Sequence, residues 1–118
     1  MTDQDIISIL SDILDLSKKN RIRWTNTSTS AQFLATLGDA TVTVDEFSID
    51  ADSYYYYTFN IFNDKGNVIF TYNTNEDLDA TISSLIEKIY KIAENIFYKR
   101  DETIQSLKST LSALKDMQ

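Results

Sequence analysis

The chain has 118 residues and a formal net charge of −7, with no cysteine, no histidine and no proline. That length fits one domain able to bury its own core. The composition removes disulfides, thiolate chemistry, cysteine-based zinc sites and the commonest general base. Acidity without a basic stripe argues against nucleic acid and anionic membranes as partners, because phosphate contacts need clustered Lys or Arg.

Residues 3–19 are predicted to form a helix. Ile6, Ile9, Leu10, Ile13, Leu14 and Leu16 make one apolar stripe, Thr2 or Asp3 caps the start, and Asn20 ends it. The segment "IISILSDILDL" lacks a basic start and carries Asp12 and Asp15, so it does not read as a signal peptide. No apolar run reaches the ~18 residues of a membrane span. The expectation is a cytoplasmic protein.

Residues 21–74 change period from helical to alternating, and β-branched and aromatic side chains take over. "IRW" predicts a short strand with Ile22 and Trp24 on one face. "SAQFLATL" and "ATVTVDEF" flank a tight turn at Gly38-Asp39, and "NDKGN" marks a second hairpin. Short turns dictate antiparallel pairing. The prediction is a meander of four to five strands.

Residues 76–98 predict a second helix capped by Thr74 or Asn75, with Glu76, Asp77 and Asp79 in its first turn. Its broad stripe, including Ile82, Ile86, Ile89 and Ala93, is wide enough to cover a sheet. The apolar face then narrows to Ile104, Leu107, Leu111 and Leu114; no Gly or Pro forces a break, so either one helix runs through or, as the narrowing favours, it breaks near 99–102 and a third helix follows over 101–116. The order of segregated elements gives an α+β fold: an antiparallel meander with an N-terminal helix and one or two C-terminal helices packed on one face.

"SYYYYTFNIF" at 53–62 raises the functional question. Alternation places Tyr55, Tyr57, Phe59 and Ile61 in the core. It places Tyr54, Tyr56 and Phe62 on the opposite face, beside Thr58 and Asn60. A solvated sheet face should be polar. Tyrosine suits strands anywhere, which accounts for these aromatics without a partner. The alternative is a protein-binding surface, since Tyr brings contact area at low entropy cost. Asp50 and Asp52 would form its acidic rim.

Asp45, Glu46, Asp50 and Asp52 lack the spacing and the glycine of a calcium loop and read as a solvated acidic stretch. No metal or cofactor is expected. With no GxSxG or GxGxxG motif, and with both glycines in hairpins, catalysis is not expected. A carboxylate-based enzyme ranks last. Trp24 and the flanking Arg21 and Arg23 read as a core residue with surface cations able to pair with the acidic loop. The 104–114 seam packs inside the subunit or pairs two chains through Ile104, Leu107, Leu111 and Leu114.

"IRWTNTSTSAQFLATLGDATVTV", "YTFNIFNDKGNVIF" and "LIEKIYKIAENIFYKRDETIQSL" together resemble a loose group of small bacterial and phage-borne helix–meander–helix proteins. Trp24, Phe33, Gly38, Gly66 and Val68 carry the resemblance. It implies the fold and brings no activity with it. The function expected is a non-enzymatic protein-interaction module. The alternatives are an acidic inhibitor or antitoxin-like protein, phage-encoded or not, that binds a basic partner, and a dimer resembling a small secretion chaperone.

Overall fold

A computed structural model describes residues 1–27, 31–49 and 54–117. Helix α1 spans Asp3–Lys18. Its start is a reciprocal cap: Asp5 N–H donates to Thr2 Oγ1 (3.2 Å) and Thr2 N–H donates to Asp5 Oδ2 (3.0 Å). Its end is closed by Asn20 in the left-handed region (φ 57°). Asn20 N–H bonds the Ser17 carbonyl (3.0 Å) and Arg21 N–H the Leu16 carbonyl (2.9 Å), so two terminal carbonyls are satisfied within the chain.

Five strands follow: β1 (Thr25–Asn26), β2 (Gln32–Leu37), β3 (Ala40–Ser48), β4 (Tyr55–Phe62) and β5 (Val68–Asn73). They form one antiparallel sheet in chain order. The short strand expected at "IRW" lies slightly later, where Thr25 and Asn26 pair with Leu34 and Phe33. Gly38 (φ 63°) supplies the positive φ of the β2–β3 turn, where Leu37 pairs with Ala40.

The register aligns Phe33, Val44, Phe59 and Tyr72 in one row, and Ala35, Val42 and Ile61 in the next. These rows form the inner face. Helix α2 (Ala80–Tyr98) covers it with Ile82, Ile86, Ile89, Tyr90 and Ala93, all buried. Helix α1 lies beside α2 and adds Ile6, Leu10, Ile13 and Leu14 to the same core. Trp24 is buried against the end of α1, where its Nε1–H donates to Ser17 Oγ at 3.0 Å.

Three expectations need correction. Helix α2 begins at Ala80 rather than 76, and its cap is Asp79, whose Oδ1 accepts from Ile82 N–H (3.0 Å). The reason is a tertiary hook: the Tyr72 phenol accepts from Asp79 N–H (2.9 Å), so the turn at 74–76 and the irregular residues 77–79 stay outside the helix. Tyr55, read as core, is exposed because it opens β4 at the sheet's end, opposite Ser48. Val68, which simple alternation would put on one face with Phe70 and Tyr72, is exposed beside a β-bulge that shifts register between Ile61 and Phe62.

The expected break falls at Lys99, in the left-handed region (φ 51°), and α3 runs Arg100–Asp116. Helix α3 differs from the other two: none of its residues is buried. Its contacts run back to α2 near the bend. The radius of gyration is 17.1 Å, against about 13.5 Å for a compact chain of this length. The excess, and a long axis of 62 Å, reflect a helix that stands off the body.

Candidate functional site

The outer face of the sheet is built by parity. With Val42 and Val44 inward on β3, Thr43, Asp45 and Phe47 point outward. With Phe59 and Ile61 inward on β4, Tyr56, Thr58, Asn60 and Phe62 do. Neither α1 nor α2 lies on this side.

Tyr54 precedes β4 and is exposed. Tyr56 is half-buried, and its ring sits 5.9 Å from that of Phe47, directly opposite on β3. Phe62 lies at the far end of β4, six residues and about 20 Å from Tyr56 at strand rise. There it lines a hollow with Leu34, Thr36 and Thr43, rimmed by Asp39 and Asp64 from the two hairpin turns. The structure therefore gathers Tyr56 with Phe47 and separates both from Phe62. Asp50 and Asp52 lie outside the described residues.

A polar ladder occupies the ground between. Thr71 Oγ1 donates to Asn60 Oδ1 (2.8 Å), and Asn60 Nδ2 donates to Thr43 Oγ1 (3.2 Å). Asp45, between Gln32 and Thr58 in register, has a buried Oδ1 that accepts no hydrogen bond from the described residues. Burial pushes its carboxyl pKa up, and the neighbouring Gln32 amide opposes the shift.

On the inner face, an aromatic cluster closes the sheet against the end of α2. Phe33 packs against Tyr90 (5.5 Å), Phe97 (5.7 Å) and Tyr98 (6.1 Å), and Tyr57 packs against Tyr90 (5.3 Å). The Tyr57 phenol donates to Glu46 Oε2 (3.1 Å) and Tyr90 to Glu94 Oε2 (3.4 Å). Burial first, then the nearby carboxylates, holds both phenols neutral far above their usual range. Both phenols act as hydrogen-bond donors to these carboxylates. Among the described residues no cluster of metal-ligating side chains occurs, and no helix is long and apolar enough to cross a membrane.

Helix α3 presents the other candidate surface. Ile104, Leu107, Leu111 and Leu114 are 50%, 56%, 49% and 56% exposed, values that leave the whole seam uncovered within the subunit. The helix is nonetheless well anchored at its root. Arg100 pairs with Glu94 (3.1 Å) and lies 5.9 Å from the Tyr98 ring centre. Asn95 Nδ2 donates to Asp101 Oδ2 (3.1 Å). Asp101, Lys108 and Lys115 follow one flank of the seam at seven-residue intervals; Thr103, Thr110 and Met117 follow the other.

Two features escaped the sequence reading. Phe47 was signalled by its parity with Val42 and Val44, which turns it outward. The bareness of α3 carried no signal, since the same seam serves internal packing equally well. No protein family, no curated protein and no solved structure matches the chain.

Proposed function

We propose that this chain is a non-enzymatic protein-interaction module in which a folded body holds out helix α3 as a docking element. One observation carries the reading: a helix of 17 residues has an unbroken apolar seam and no buried residue. An exposed seam of four large aliphatics costs solubility and contributes nothing to the body. A partner that covers it supplies the missing burial. The Tyr54, Tyr56 and Phe47 end of the outer face is a second protein-binding surface. Pairing of two copies through Ile104, Leu107, Leu111 and Leu114, as in a small chaperone-like dimer, belongs to the same reading. So does a place in the cytoplasm among small bacterial and phage-borne proteins of this plan.

The test compares Leu107→Glu with Leu111→Glu, combined in one chain, against the parent. Urea unfolding, measured dilute enough that the parent is monomeric, should be unchanged within about 0.5 kcal/mol, as for surface substitutions. Self-association, and retention of proteins from a host extract on the immobilised chain, should be lost. A lower unfolding midpoint at a concentration where both chains are monomeric, or binding equal to the parent's, would refute it.

A second reading is favoured by the Leu34–Phe62 hollow with Asp39 and Asp64 at its rim. This is apolar ground flanked by acid, on a chain of charge −7. It suits an inhibitor or antitoxin-like protein engaging a basic partner. Such binding weakens steeply with salt. Phe62→Ala should abolish it while leaving α3-dependent binding intact.

A further inference from the structure

We propose that the occupant of the α3 seam is α3 of a second copy, lying alongside it antiparallel. This rests on the reading of α3 as a docking element and names its partner. Ile104, Leu107, Leu111 and Leu114 follow the 3-4-3 spacing of a helix–helix seam, so one copy offers the other a stripe of matching pitch.

Charge sets the direction. In a parallel pair, each flank of the seam faces the opposite flank of its neighbour. Asp101, Lys108 and Lys115 would then face Thr103, Thr110 and Met117, and no charge would meet its opposite. In an antiparallel pair like flanks meet. Asp101 lies beside the partner's Lys115, and Lys115 beside the partner's Asp101, giving two ion pairs. One oxygen of Asp101 is taken by Asn95, which leaves Oδ1 for the lysine. Lys108 meets the partner's Lys108 at the two-fold axis, where long side chains turn their ammonium groups to water. The helix dipoles agree: antiparallel pairing sets the start of each α3 beside the end of the other.

The layers then become Ile104 on the partner's Leu114 and Leu107 on the partner's Leu111. At about 1.5 Å per residue α3 is roughly 25 Å long. Such a pair buries on the order of 1,000 Å² in total, the lower bound for a specific interface. Because α3 stands off the body, the two bodies come to rest at opposite ends of the pair.

The absence of cysteine makes the test clean. Ile104→Cys and Leu114→Cys chains are oxidised separately and as an equal mixture, and the parent is followed by light scattering over a concentration series. A disulfide needs Cα atoms within about 7 Å. In the antiparallel pair residues 104 and 114 of opposite copies face each other, while two copies of residue 104 lie about 15 Å apart at helical rise. The expected result is a crosslinked dimer in the mixture only, and a parent whose mass doubles with concentration. Lys115→Glu should weaken dimerisation about tenfold, because it turns two attractions into repulsions. Crosslinking of each variant with itself would overturn the antiparallel arrangement. A parent that stays monomeric at every concentration would overturn self-pairing altogether. The docking reading would then stand or fall on whether the combined Leu107→Glu and Leu111→Glu chain loses proteins bound from a host extract.

Discussion

Ser17→Ala is a small change with a calculable effect. Ser17 is buried on the last turn of α1, and its Oγ accepts the Trp24 indole N–H at 3.0 Å. Trp24 is itself buried. The backbone closure of α1 uses the Ser17 carbonyl and survives the substitution. What is lost is the acceptor, leaving a buried indole N–H unpaired at a cost of about 1–3 kcal/mol. Alanine returns roughly 0.5 kcal/mol through its better helix propensity. The net loss is then about 1–2 kcal/mol, or a urea midpoint lower by about 1 M at an m-value of 1–2 kcal/mol/M. Trp24 is the only tryptophan, so its fluorescence reports this unfolding directly. Trp24→Phe costs packing but orphans nothing, because the Ser17 hydroxyl can turn back to the carbonyl four residues earlier. The double-mutant cycle should give a coupling of about 1 kcal/mol. A Ser17→Ala chain as stable as the parent would mean that the indole is wet or otherwise bonded, and that the clamp between α1 and the sheet is wrong.

Asp45→Asn should stabilise the chain at neutral pH. The folded-state pKa of Asp45 is raised, so the folded form binds its proton more tightly than the unfolded form. The stability this contributes is present at low pH and is lost as pH rises from the unfolded value near 3.8 through the folded one. Melting temperatures of the two chains should differ most at pH 7 and converge towards pH 4; a constant difference would refute the assignment. At Lys99, glycine should be neutral or stabilising by up to about 1 kcal/mol, since the left-handed conformation is strained for a side chain with a Cβ. In a helix running straight through, the same glycine would cost about 1 kcal/mol. Thermal melts followed by far-ultraviolet circular dichroism distinguish the two.

Most of the fold was legible because period and face are local. The stripe of Ile6, Leu10, Ile13 and Leu14 and the alternation of Phe33 with Ala35 and Val42 with Val44 each state which side is buried. The break at 99 was legible as a narrowing of the apolar face. What failed depended on distant contacts. The start of α2 is set by the Tyr72 phenol, which reaches Asp79 from a neighbouring strand. Tyr55 continues a core pattern past the point where α2 covers the sheet. The Tyr56–Phe47 contact depends on the β3–β4 register, and the gap between Tyr56 and Phe62 on strand length; both were within reach of parity and rise. The bareness of α3 was not, because a seam records what a helix can bury and not whose surface will bury it.

That bareness divides the mutational fate of the chain. A substitution at Phe33 or Ile86 disturbs a core shared by both helices and the sheet, so it is filtered by folding before it reaches any partner. A substitution at Leu107 or Lys115 leaves the body untouched and is judged by recognition alone. Evolution can therefore rewrite whom this protein meets through α3 without renegotiating how its body folds.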